Sequence, residues 1–259
     1  MIPKKLFGQN FLTSPPARVA IVSAGNLTNR DTVLEIGPGK GFLTEGLLGS
    51  GAKVIAVEKD RELIAFLRER FATEIESGQF ILEEGDALSF ESPYTSYKLI
   101  ANIPYYITGA ILERFLSHER KPSQMVVLVQ KEVAMRVVAR EGKESILSLA
   151  VKVYGTPHIA HRVSAGSFFP KPKVDSAVLS IENISASSFH DDEHELIFFT
   201  VVKLGFAHKR KMLLSNLKEK FDEKKLLSLF GELYIDQKER AENVTLQKWL
   251  TLSFKLSRS

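Results

Sequence analysis

From Thr32 to about Val138 short apolar runs alternate with segments of helical period, and few folds accommodate that alternation. The apolar runs 32–36, 53–57, 80–82, 98–101 and 125–129 each have the length of a buried strand, whereas 42–48, 61–71, 108–116 and 131–140 space their apolar residues as one helix face does. Strands separated by helices must run parallel, with helices covering the sheet. The run Met125-Val126-Val127-Leu128-Val129 has no polar member, as a central strand buried on both faces requires. Two later runs, 149–154 and 174–181, alternate better and have no long helical pattern between them, which predicts an antiparallel pair at one edge. The Ser-rich stretch 183–188 reads as a linker, and beyond it the chain reads helix after helix. The expected division is an α/β domain over 1–185 and a small all-α domain over 186–259. A chain of 259 residues with 44% hydrophobic content can hold one substantial core and such an appendage.

The strand ends carry the chemistry. Thr32-Val33-Leu34-Glu35-Ile36 runs into Gly37-Pro38-Gly39-Lys40-Gly41 before a helix begins at Phe42. Glycines there allow a tight turn and close approach of backbone to a ligand. The dinucleotide pattern G-x-G-x-x-G would need glycine at position 42, which is Phe, so a nicotinamide-dependent oxidoreductase is disfavoured. The acidic Glu35 and the proline suit S-adenosylmethionine, whose sulfonium and amino groups are cationic, better than a phosphate. Glu58 ends the next strand about 20 residues past the glycine loop, where a carboxylate can take both ribose hydroxyls. Asp86 follows the third strand and can accept an adenine amino group. Each acidic residue alone is as readily solvated surface. In order, however, they fall along the carboxyl edge of one parallel sheet, where ligands bind.

Asn102-Ile103-Pro104-Tyr105 ends the fourth strand. The sequence suits a strand-to-helix turn, and it also suits chemistry on an exocyclic amine. The lone pair of an adenine amino group is delocalised into the ring. An Asn carbonyl and a backbone carbonyl of Ile103 or Pro104 can accept its two N–H bonds and draw the nitrogen toward tetrahedral geometry, while Tyr105 offers a stacking face to an extruded base. Further on, Phe168-Phe169-Pro170-Lys171-Pro172-Lys173 joins two aromatics to a proline-stiffened, doubly basic loop. Adjacent residues of a strand face opposite ways. One of the two therefore covers the sheet end or closes on a base opposite Tyr105, and Phe168 is taken as that residue. In the helical region Lys209, Arg210 and Lys211 open an expected helix and suit RNA phosphates.

The formal charge of +4 and pI near 9.1 permit nucleic-acid binding without requiring it. There is no cysteine, hence no disulfide framework or thiolate metal site, and no metal is implied. No run reaches membrane-spanning length, and the N-terminal lysines are not followed by a continuous apolar segment. The expected compartment is the cytoplasm and the expected state a monomer.

The series Gly8-Gln9-Asn10-Phe11-Leu12, Glu35-Ile36-Gly37-Pro38-Gly39, Glu58, Gly85-Asp86-Ala87, Asn102-Ile103-Pro104-Tyr105-Tyr106, Gln130-Lys131-Glu132-Val133-Ala134 and Phe168-Phe169-Pro170-Lys171-Pro172-Lys173-Val174-Asp175-Ser176-Ala177-Val178 closely resembles the ribosomal RNA adenine N6,N6-dimethyltransferases of the KsgA group. The resemblance runs from about Lys5 to Leu217. It implies a class I S-adenosylmethionine-dependent methyltransferase fold, Rossmann-like, with a helical C-terminal domain. It further implies cofactor contacts at Asn10, Leu12, Gly37, Gly39, Glu58, Asp86 and Asn102. The implied substrate is a pair of adjacent adenosines in the 3′-terminal hairpin loop of 16S RNA, dimethylated as the small ribosomal subunit assembles. The basic stretch Lys209-Arg210-Lys211-Met212 departs from the paired arginines and Thr common in the family, and Lys40-Gly41-Phe42-Leu43-Thr44 is shared with 23S RNA methyltransferases. Two alternatives stay open: a 23S RNA adenine methyltransferase, and an assembly factor whose binding matters more than its catalysis.

Overall fold

The computed structural model describes residues 10–140 and 142–258, and Gly8 and Gln9 of the first motif lie outside them. The elements in chain order are β1 (Phe11–Leu12), α1 (Pro15–Ala24), β2 (Thr32–Ile36), α2 (Phe42–Gly49), β3 (Lys53–Glu58), α3 (Arg61–Arg70), α4 (Ala72–Glu76), β4 (Phe80–Glu84), β5 (Lys98–Asn102), α5 (Thr108–Ser117), β6 (Gln124–Gln130), α6 (Lys131–Val137), α7 (Ile146–Lys152), β7 (Thr156–Val163), β8 (Phe168–Phe169) and β9 (Ser176–Glu182). Helices α8 (Asp192–Gly205), α9 (Leu213–Leu217), α10 (Glu223–Glu232) and α11 (Leu246–Ser257) complete the chain.

Seven strands form one sheet in the order β4-β3-β2-β5-β6-β9-β7, and β1 pairs antiparallel with β8 in a separate ribbon. Strands β4, β3, β2, β5 and β6 are mutually parallel. From β2 the chain winds outward through β3 and β4, then returns to β5 on the other side of β2. The strand order therefore reverses between β2 and β5, the place where open α/β sheets form a ligand crevice. Local signals fix the helices. Ser14 accepts a bond from Ala17 N ahead of prolines at the start of α1, and Asp60 accepts one from Glu62 N at the start of α3. One face of each covering helix enters the core, where Ile21, Leu47 and Leu67 meet Val54, Ile100 and Val126 of the sheet.

Two features differ from the sequence reading. Residues 149–154 are not a strand: Ser145 and Ser148 form a reciprocal capping box that starts α7 and buries Leu149 and Val151. The partner of β9 is instead β7, whose alternation is masked by its exposed His158, His161 and Arg162. The expected antiparallel pair at one edge is present as β9 and β7: β9 lies between β6 and β7, antiparallel to both, and six of its seven residues are buried. Finally, the chain divides into one unit of 1–135 with 155–184 and another of 136–154 with 185–259. The second unit resumes at Ser185, and residues 136–154 belong with its helices. Glu144 N donates to Glu242 O at 2.8 Å, and the Tyr154 hydroxyl bonds the Glu195 carboxylate. Among the described residues no helix is long and apolar enough to cross a membrane.

Candidate functional site

At the carboxyl ends of β2, β3, β4 and β5 lies a cavity of about 920 Å³. Gly37, Gly39, Glu58, Asp86, Asn102, Ile103, Pro104 and Tyr105, from the strand ends, line it together with Asn10 and Leu12, which only the family resemblance had singled out. The glycine loop forms the floor. Gly39 and Gly41 have φ of +60° and +76°, the left-handed region that side chains resist. A Cβ on Gly41 would sit 2.4 Å from the Phe71 ring, so the turn into α2 is also sterically closed to anything larger. Arg70 holds the loop, donating to the Lys40 carbonyl at 2.6 Å.

Two carboxylates stand behind the loop. Glu58 is buried, with Oε1 accepting from Lys59 N and Asp60 N at 2.9 Å each and Oε2 from Gly39 N at 3.2 Å. Burial raises its pKa, outweighing three backbone bonds that favour the anion. Oε2, held by one long bond, retains capacity to accept from a hydroxyl. Glu35 is fully enclosed and accepts from Thr44 Oγ1 at 2.7 Å. Desolvation, with the Glu58 charge adding to it, pushes the Glu35 carboxyl up to about 8. Asp86 is different. It is partly exposed, its Oδ2 pairs with Lys59 Nζ at 2.9 Å, its Oδ1 accepts from Leu88 N, and the lysine holds its pKa below the usual range. An adenine amino group bonding Asp86 has to share that carboxylate with Lys59, a residue the sequence reading did not single out.

At the other end, Asn102 Nδ2 donates to the Asn10 carbonyl at 3.2 Å, which leaves Oδ1 as the acceptor of that amide. Tyr105 lies in a 3₁₀ turn, and its hydroxyl bonds Ser176 Oγ at 2.7 Å, fixing the ring from its far end. The Pro104 carbonyl closes this turn by accepting from Ile107 N at 3.1 Å. Of the two backbone carbonyls considered, that of Ile103 is the one not used there.

Phe168 is not at the cavity. The β1–β8 ladder pairs Leu12 with Phe168 and Phe11 with Phe169, so the two aromatics face opposite ways. Phe168 packs into the core at 4% exposure, and Phe169, 63% exposed, lines the cavity. Lys209, Arg210 and Lys211 lie in the second unit, in an exposed turn between α8 and α9 rather than in a helix. Asn216 Nδ2 ties that turn down through the carbonyls of Gly205 and His208. Phe11, Lys40, Lys59, Arg70 and Tyr106 also line the cavity. Phe11, Lys40 and Tyr106 lie inside the quoted motifs without having been assigned a role, whereas Lys59, just past β3, and Arg70, at the end of α3, belong to none.

The volume lies within the range of small-molecule sites. A glycine floor without side chains, the Glu58 carboxylate at the end of β3 and the Asp86 carboxylate, shared with Lys59, fit S-adenosylmethionine, whereas Glu35, protonated at neutral pH, adds no charge there. The family model for ribosomal RNA adenine dimethylase matches residues 3–257. The chain belongs to the ribosomal RNA adenine dimethylase family. It is 40% identical over 257 residues to a Ribosomal RNA small subunit methyltransferase A of Dehalococcoides mccartyi, covering 96% of this chain and 87% of that one. Among solved structures, a dimethyladenosine transferase from Plasmodium falciparum superposes with a TM-score of 0.80 at 27% identity, covering 96% and 98% of the two chains. The 23S rRNA methyltransferase ErmE gives 0.78 at 24% identity, covering 95% and 99%, and speaks to the fold alone. The dimethylase family is that of the resemblance seen in the motifs. Its members are methyltransferases, which implies use of S-adenosylmethionine, and the mostly parallel sheet is the class I methyltransferase fold.

Proposed function

We propose that this dimethylase transfers methyl groups from S-adenosylmethionine to N6 of two adjacent adenosines in the 3′-terminal hairpin loop of 16S RNA, acting as a monomer in the cytoplasm on the assembling small ribosomal subunit. The carrying observation is the Asn10–Asn102 hydrogen bond, which engages one of the two N–H donors of the Asn102 amide and fixes the end from which its oxygen can accept from an amine. The small-subunit assignment is supported by the name of the Dehalococcoides relative and by the family itself.

In this reading Glu58, Gly37, Gly39, Asn10, Leu12 and Asp86 hold the cofactor, which supplies an electrophilic methyl carbon when bound. Asn102 Oδ1 and the Ile103 carbonyl accept the two N–H bonds of the adenine amine and direct its lone pair toward that carbon. Tyr105, its ring steadied by Ser176, stacks on the base, and Phe169 closes on the opposite face. Most of the acceleration comes from holding nucleophile and electrophile in line. After transfer the amine nitrogen is cationic and acidic, so water or the Ile103 carbonyl can take its proton without a strong general base. Lys209, Arg210 and Lys211 contribute phosphate contacts from the helical unit.

The test is Asn102→Ala, assayed with unmethylated small subunits. Turnover should fall by about a hundredfold or more, the scale for losing one preorganised hydrogen-bonding group, with RNA affinity reduced far less. Equal losses in both count against the assignment of Asn102 to the amine.

A further inference from the structure

The loop 170–175 contains two exposed lysines, and both of its ends are fixed at the base end of the cavity. Phe169, just before it, lines the cavity, and Ser176, just after it, bonds the hydroxyl of Tyr105 at 2.7 Å. The loop is also pinned from within. The Asp175 carboxylate accepts from Ala165 N at 3.0 Å, and the Asp175 carbonyl accepts from Lys131 N at 3.0 Å, at the carboxyl end of β6. Lys171 is two residues from Phe169 and Lys173 three from Ser176. At about 3.6 Å per extended residue, neither Cα lies more than about 11 Å along the chain from one of those two anchors. Pro170 and Pro172 restrict the backbone between them. The loop's one acidic side chain accepts from a backbone amide, and the side chains of Lys171 and Lys173 are exposed.

We propose that Lys171 and Lys173 form a phosphate-gripping rim that holds the RNA backbone beside the extruded adenosine. The inference rests on reading the cavity as a pocket for an extruded adenosine. Extrusion swings a nucleotide out about its own backbone, so the adjoining phosphates arrive at the mouth with the base. Lysine binds phosphate as a point charge and requires no particular orientation, which suits an irregular single-stranded loop. A loop fixed at both ends loses little freedom when it binds. The rim thus supplies register at the reacting nucleotide, whatever the helical unit contributes elsewhere.

The experiment is a salt titration of RNA binding by the full-length protein, read by fluorescence anisotropy with a 16S 3′-terminal hairpin and an unstructured RNA of equal length. Each neutralised phosphate of a single strand contributes about 0.7 to the slope of log affinity against log salt. The double variant K171Q/K173Q should therefore lose about 1.4 of slope on either RNA and bind roughly tenfold more weakly near 0.15 M salt. K171R/K173R should retain the slope, and Arg68→Gln on α3 should leave it as in the wild type. Binding of S-adenosylhomocysteine by each variant verifies that the fold is intact. An unchanged slope in the Gln variant, or an equal loss in the Arg variant, overturns the proposal and reduces the loop to a spacer. If the wild type methylates only large-subunit RNA while the Gln variant still loses slope, the substrate reading fails and the rim stands.

Discussion

Replacing Glu35 by Gln should make the protein more stable at neutral and alkaline pH and flatten its stability profile. Glu35 is fully enclosed beneath the glycine loop, bonded to Thr44, with a folded-state pKa of about 8 against 4.5 for the free side chain. A carboxyl with a raised pKa holds its proton in the folded state when the unfolded chain has already released it. The folded state therefore binds more protons between these two values, and unfolding free energy falls as pH rises. The slope is about 1.4 kcal/mol per pH unit within the window, which amounts to about 3 to 4 kcal/mol between pH 5 and pH 8. Below pH 4.5 the effect vanishes, and above about 8 it is constant. Gln keeps an acceptor for the Thr44 hydroxyl and cannot ionise. The assay is urea unfolding of wild type and Glu35→Gln at half-unit steps from pH 5 to 9. The difference between the two proteins isolates this residue from Asp31 and Asp86, whose lowered pKa values act in the opposite direction at lower pH. Profiles that stay parallel from pH 5 to pH 8 would refute the reasoning.

Gly41→Ala forces a Cβ into a left-handed turn and to within 2.4 Å of the Phe71 ring. The combined cost should be about 3 kcal/mol, a fall of roughly 6 to 12 °C in Tm by calorimetry. The neighbouring aromatics should separate cleanly. Phe168→Ala should destabilise by about 3 to 5 kcal/mol in urea titrations because it empties a core site. Phe169→Ala should change stability by less than about 0.5 kcal/mol yet lower kcat/KM for small subunits by roughly tenfold to a hundredfold through lost stacking.

The parallel part of the sheet was legible because each strand announces itself twice, by an apolar run and by the residue that ends it. Glu35-Ile36-Gly37, Glu58 and Asn102 carry both signals, and the cavity forms where those ends meet. The antiparallel part was harder. Strand β7 faces outward at His158, His161 and Arg162, so its apolar period is weak, whereas α7 is short and the alternating Leu149, Val151 and Val153 mimic a strand. Its start signal was present in Ser145 and Ser148. The choice between Phe168 and Phe169 was beyond periodicity, since it depends on the register of β8 against β1, two elements of two residues each. Lys59 and Arg70 were invisible for a similar reason: the bonds that bring them to the cavity, to Asp86 and to the Lys40 carbonyl, span 27 and 30 residues.

The most direct test of the central claim is transfer of labelled methyl groups from S-adenosylmethionine to unmethylated small ribosomal subunits and, in parallel, to large-subunit RNA, followed by digestion to nucleosides. N6,N6-dimethyladenosine arising from the small subunit alone is the predicted result. Label in large-subunit RNA, or tight binding to the small subunit with no label at all, would contradict it.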